Sequence, residues 1–125
     1  MMSMSQEDRE RRMKAILEKT KKLFLQDAYQ RAAELKENIA LWEQNDSHRE
    51  SEASGKLGES MYRYAHTLKG VALTVGCEGI HQLSEAADSY SIQHLDAWTE
   101  ETLRTMIQFL EQLFKELYRE MDKEN

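Results

Sequence analysis

Residues 62–76 read Tyr62-Arg63-Tyr64-Ala65-His66-Thr67-Leu68-Lys69-Gly70-Val71-Ala72-Leu73-Thr74-Val75-Gly76, and this stretch decides how the rest of the chain is read. Met61, Ala65, Leu68, Ala72 and Val75 recur at three- and four-residue spacing, the mark of a helix with one apolar stripe. His66 falls about 100° around that helix from Ala65, at the edge of the stripe. Tyr62, Lys69, Gly70 and Leu73 share its side. One face of the helix is expected to pack, and the other to present an imidazole beside an ammonium.

Two features of the second face are poor choices for a merely structural helix. Gly70 is predicted mid-helix, where glycine costs roughly 0.5–1 kcal/mol relative to alanine. Its place one turn after His66 implies that something must come close to the backbone there. Lys69 sets a cation beside whatever His66 carries, and a cation stabilises an anion bonded to the ring. His66, Lys69 and Gly70 thus read as a nucleophile, a charge stabiliser and a clearance. The plainer alternatives are a solvated histidine without chemistry and a glycine that serves close helix–helix packing.

His66-Thr67-Leu68-Lys69-Gly70, with Gly76 ten residues after the histidine, closely resembles the signature of histidine-containing phosphotransfer (HPt) domains. The likeness continues through Ile80, Leu83, Ala87 and Asp88, where the family usually shows two hydrophobic residues, leucine and glutamate. Ala87 and Asp88 depart from that pattern and bear on the packing of their helix. The resemblance implies an all-α, antiparallel four-helix bundle with an additional N-terminal helix or helical extension. It implies that His66 accepts a phosphoryl group and exchanges it with an aspartate of a response-regulator receiver domain or with a sensor histidine kinase. Lys69 would then stabilise the phosphoryl group, and Gly70 and Gly76 would leave room for it and for the partner. Tyr62, Thr67, Leu68 and Leu73 are candidates for a docking patch, with packing of Leu73 against the first helix as the alternative.

Composition agrees with one helical domain over residues 1–125. The chain has no proline, 32% charged and 40% hydrophobic residues, and few β-branched side chains. No run approaches the roughly 20 apolar residues of a membrane span, and the first residues lack a signal peptide's apolar core. Cytoplasmic location is the expectation. Cys77 is the single cysteine, which excludes an intrachain disulfide and a cysteine-based zinc site, and it reads as a small buried filler. A formal net charge of −6 argues against nucleic acid as a partner. Only the first helix leans basic, through Arg9, Arg11, Arg12, Lys14, Lys19, Lys21 and Lys22. Acidic residues interleave with these, so a solvated face is the simpler reading.

In chain order, Ser5 is a candidate N-cap after a frayed start, residues 1–5. Residues 6–44 carry a helical period without glycine or proline and form one long helix or two. The family likeness favours a bend near Gln26–Ala28. Asn45–Gly55 is polar and reads as a loop, with Ser54 as a cap for a helix over about Lys56–Val75. Gly58 near its start is tolerable where the first turn is weakly constrained. Gly76 is placed to end that helix. Glu78–Ile92 is the next helix, with Ile80, Leu83, Ala86, Ala87 and Tyr90 as its buried edge. Thr99 or Asp96 would cap a last helix reaching about Met121, striped by Leu103, Met106, Ile107, Leu110, Leu113, Phe114, Leu117 and Tyr118. Residues 122–125 are expected to fray.

The sequence shows no glycine-rich nucleotide loop and no acidic triad for Mg²⁺. A carrier that cannot phosphorylate itself from ATP is therefore expected, with no cofactor of its own and the Mg²⁺ on the receiver. It is not expected to act as an enzyme, to bind nucleic acid or to insert into membranes, and a monomer is expected. Two rival readings stand beside it. One is a bundle that only binds proteins. The other is a metal site built on Glu78-x-x-His81, which would need a second such element that the sequence lacks.

Overall fold

The computed structural model describes residues 5–44 and 51–124, in four helices: α1 (Gln6–Gln44), α2 (Ser51–Ala72), α3 (Glu78–Ile92) and α4 (Glu100–Glu124). α1 packs on α2 and α4, and α3 packs on the same two helices. Cross-helix pairs fix the directions. Lys21 in the first half of α1 meets Glu124 at the end of α4 (3.1 Å), and Trp42 near the end of α1 lies under Arg104 at the start of α4. Tyr64 on α2 donates to the Ala28 carbonyl on α1 (2.9 Å), and Ser91 on α3 reaches Met106 on α4 (3.3 Å). The result is an antiparallel four-helix bundle whose first helix is longer than the others.

The expected bend near Gln26–Ala28 does not occur: α1 is one continuous helix. Leu25, Ala28, Ala32, Leu35, Ile39 and Trp42 form an unbroken buried stripe through that point, and Asp27 pairs with Arg31 across it (2.9 Å). With no glycine or proline to interrupt the hydrogen bonds, nothing breaks the helix. Ser5 is the N-cap, its Oγ accepting from the Asp8 amide (3.1 Å).

The loop expected over Asn45–Gly55 is corrected in its second half. Residues 45–50 lie outside the described residues, and 51–55 are already helical, so Ser54 is a buried residue inside α2 and not its cap. Ser54, Leu57, Gly58 and Met61 lie on one helical stripe facing the core. Gly58 is small because the Trp98 indole closes over it. A Cβ built at Gly58 would collide with its ring atoms, so close approach, not a weak first turn, explains this glycine. At the other end, α4 continues to Glu124 where fraying from Asp122 was expected, held by Lys21 on both Glu120 (3.4 Å) and Glu124. Thr99 caps α4 through reciprocal bonds with Thr102.

α2 ends at Ala72, three residues before the expected Val75, and a turn over residues 73–76 closes it on the expected glycine. Gly76 has φ of +81°, the Gly76 amide bonds to Leu73 O (3.1 Å), and the Cys77 amide bonds to Ala72 O (2.8 Å). These two bonds form a Schellman motif, in which the left-handed residue is most readily glycine. Cys77 is fully buried behind it, and burial pushes its thiol pKa up.

Candidate functional site

α3 carries the least expected part of the bundle. Its bounds match the expected helix, but its buried residues are Ile80, Ser84, Ala87, Asp88 and Ser91, and Ala86 is exposed. These positions have helical spacing, yet three of the five are polar. Each has its hydrogen bonds satisfied. Ser84 donates to Ile80 O (2.7 Å) and Ser91 to Ala87 O (2.8 Å), one turn back on their own helix. Asp88 is satisfied from α2.

There Asp88 meets His66 and Lys69. Asp88 Oδ1 lies 3.0 Å from His66 Nδ1, and Oδ2 accepts from Lys69 Nζ at 3.2 Å. The Asp88 side chain is only 2% exposed, whereas that of His66 is 60% exposed. A carboxylate oxygen only accepts, so the bond places the imidazole proton on Nδ1. Nε2 is left as the ring nitrogen with a free lone pair. Tyr62, one turn earlier, stacks on the imidazole with ring centroids 5.5 Å apart and planes 30° from parallel. The ring is thus oriented at its edge by a carboxylate and on its face by an aromatic ring. Lys69 also keeps a buried charge compensated, without which Asp88 would be costly to bury.

A second histidine fastens this corner. His81 Nδ1 donates to the Lys69 carbonyl (3.2 Å), near the end of α2. Its Nε2 lies 3.4 Å from Glu85. His81 therefore ties α3 to the last turn of α2, and the Glu78-x-x-His81 spacing serves this contact. Among the described residues no group of three or more His, Cys, Asp or Glu is placed to hold a metal ion.

The remaining expected site residues divide. A Cβ on Gly70 would meet nothing within 4 Å, so this glycine serves no helix packing and leaves an open surface one turn after His66. Gly76 is likewise exposed, and its conformation is what requires glycine. Thr67 is exposed, Leu73 is 56% exposed, and Val71 joins them at the surface. Leu68 is a correction: at 2% exposure it is core and offers nothing to a docking partner. It belongs to the stripe of Met61, Ala65 and Ala72, which outweighs its nearness in sequence to His66. A groove between α1 and α2 runs beside His66, walled by Arg31, Asn38, Arg63 and Thr67.

Asp88 is the site residue that sequence reasoning missed, because it was read only as a packing position. Two signals could have found it. It stands where the resembled family carries glutamate, and it is a lone acid on the stripe of Ile80, Ser84, Ala87 and Ser91.

A helical bundle that holds an exposed imidazole by a buried carboxylate is built to present one ring nitrogen to a visiting group. The family model described as Hpt domain matches residues 20–120. The chain belongs to that family, the histidine phosphotransfer domains of two-component phosphorelays. No curated protein and no solved structure matches it. No described helix is long and apolar enough to cross a membrane.

Proposed function

We propose that this chain carries phosphoryl groups between signalling partners, with His66 Nε2 as the acceptor atom. The observation that carries the reading is the Asp88 bond to Nδ1, which leaves Nε2 unprotonated and facing solvent. The Nε2 lone pair attacks the phosphorus of an aspartyl phosphate on a receiver domain. An N–P bond forms as the acyl O–P bond breaks, and the receiver carboxylate leaves with the electron pair. Positive charge then develops on the ring, and the Nδ1–H facing Asp88 is where it is stabilised. In the return direction the same contact keeps the ring protonated at Nδ1, a better leaving group when a receiver aspartate attacks. Such transfer depends on alignment and charge neutralisation, which a rigid helix provides.

Lys69 supports the step by holding Asp88 in place, and its remaining N–H groups are available to phosphoryl oxygens. Gly70 and Gly76 leave clearance for the receiver, and Tyr62, Thr67 and Leu73 form its docking surface. Mg²⁺ belongs to the receiver, ATP is not a substrate, and the carrier works in the cytoplasm with receivers and sensor kinases as its partners. The test is to incubate the chain with a panel of phosphorylated receivers and kinases and follow label. Acid-labile label on the wild type and none on His66→Gln is the expected outcome. Label on neither would leave a protein-binding bundle, and label on both would move the acceptor to another histidine.

A further inference from the structure

The two flanks of His66 carry different cations. By helical spacing Lys69, three residues on, and Arg63, three residues back, lie about 60° to either side of it. Lys69 is on the flank that faces α3, where its Nζ meets Asp88 Oδ2 while Oδ1 meets His66 Nδ1. The two ring nitrogens sit on opposite edges, so Nε2 points away from α3, to the flank that Arg63 occupies. That flank opens into the groove between α1 and α2, about 420 Å³ and ample for a phosphoryl group. His66, Arg63 and Thr67 line it from α2, and Arg31 and Glu34 line it from α1.

Both arginines already hold an acid. Arg63 Nη2 meets Glu59 Oε1 at 2.6 Å and Arg31 Nε meets Asp27 Oδ2 at 2.9 Å, each one turn back on its own helix. With Glu34 on the wall as well, cations do not exceed acids, and the groove by itself selects no free anion. A phosphoryl group on Nε2 needs no such selection. It is bonded to the ring, and the tether gives it a high effective concentration at the mouth of the groove. There it meets an ion pair whose side chains are 74% and 57% exposed, a kind that contributes little and is readily exchanged. The group offers three acceptor oxygens, and a planar guanidinium matches two of them at once. Arg31 is less well placed, because it stands across the groove on α1 with Glu34 one turn further on.

We propose that Arg63 is a phosphoryl-binding residue, turning from Glu59 to the phosphoryl oxygens once His66 is phosphorylated on Nε2. The site then holds the group from two sides. Asp88 and Lys69 fix the ring through Nδ1, and Arg63 neutralises the charge beyond Nε2. The proposal rests on His66 as the acceptor, and it gives the phosphorylated carrier a contact that the free carrier lacks.

The test phosphorylates the full chain with phosphoramidate, a small donor that needs no receiver docking, and follows the phosphohistidine by ³¹P NMR as pH is varied. A cation beside the group favours its fully ionised form, so Arg63→Ala is expected to raise the titration midpoint by about half a pH unit, and Arg63→Lys to restore most of that. Glu59→Gln frees Arg63 and should lower the midpoint, an effect that should vanish when Arg63→Ala is added. This coupling separates a contact from a change in overall charge. Both positions are exposed, so the variants keep their fold, which circular dichroism checks, and Arg31→Ala should shift the midpoint less than Arg63→Ala. An unmoved midpoint in Arg63→Ala, an equal shift in Arg31→Ala, or an undiminished Glu59→Gln effect without Arg63 would overturn the proposal and leave His66 as the acceptor. No phosphohistidine on the wild type, or label that survives His66→Gln, would overturn the acceptor reading and this proposal with it.

Discussion

Along α2, Gly58 and Gly70 lie 12 residues apart, the first buried beneath the Trp98 indole and the second open to solvent one turn after His66. Either could be replaced by alanine without losing a helical hydrogen bond, and both weaken the helix as glycine does. What differs is the neighbour. At Gly58 another helix connection needs the space, and the gain is packing. At Gly70 nothing in the molecule uses the space, so the weakness brings no stability in return. A residue that costs stability and returns none within its own fold is what the proposed clearance for a partner at Gly70 would require. The comparison separates the half of α2 that builds the bundle from the half that presents His66.

The largest effect should come from closing the first space. Gly58→Leu forces the Trp98 ring aside and is expected to destabilise the bundle by about 3 kcal/mol, measured by urea unfolding. A variant as stable as wild type would show that Trp98 moves freely and would erase the contrast. Next, Lys69→Met strands the buried Asp88 carboxylate with His66 alone. A loss of about 2 kcal/mol is expected, together with slower transfer, because Asp88 then no longer holds the ring firmly. No change in stability would mean that Asp88 is compensated from elsewhere.

A smaller effect should distinguish packed regions from the open site by pH. Burial raises the Cys77 thiol above its ordinary 9.0 and the Tyr64 phenol above its ordinary 10.0. The hydrogen bond that Lys21 donates to Glu124 raises its ammonium above the ordinary 10.5. Each group holds its proton more tightly when folded. Each contribution is therefore complete below the unfolded pKa and is lost as pH rises through the folded one. Stability should be level up to about pH 9 and fall above it, with Cys77→Ala removing the earliest part of the fall. Urea midpoints at pH 8, 9 and 10.5 check this. The smallest change, and one of opposite sign, belongs to the second glycine. Gly70→Ala should stabilise the domain by up to about 1 kcal/mol. Gly70→Leu should stay folded and transfer slowly, since its side chain would fill the open surface beside His66. Fast transfer by a stable Gly70→Leu protein would break the clearance reading.

Much of this arrangement was legible in the sequence where one physical signal dominated. The α4 stripe, the Gly76 terminator and the exposed His66 follow from periodicity and backbone preference, which act locally. The rest depended on what lies across the bundle. Gly58 read as a tolerated glycine near a helix start because its reason, Trp98, is 40 residues away. Ser84 and Ser91 were missing from the expected buried edge because a hydrophobic count cannot see a hydroxyl satisfied by its own helix. Asp88 looked like packing because its two partners sit on α2. The bend in α1 was taken from a family habit, and the chain's own lack of a helix breaker was the better guide.

Phosphotransfer here turns on one atom, so the direct measurement is NMR on phosphorylated protein carrying ¹⁵N-histidine, read by phosphorus–nitrogen coupling. A phosphoryl group on Nε2 of His66, with Nδ1 still bonded to Asp88, is the expected result. A phosphoryl group on Nδ1 of His66, or on His48, His81 or His94, would contradict it.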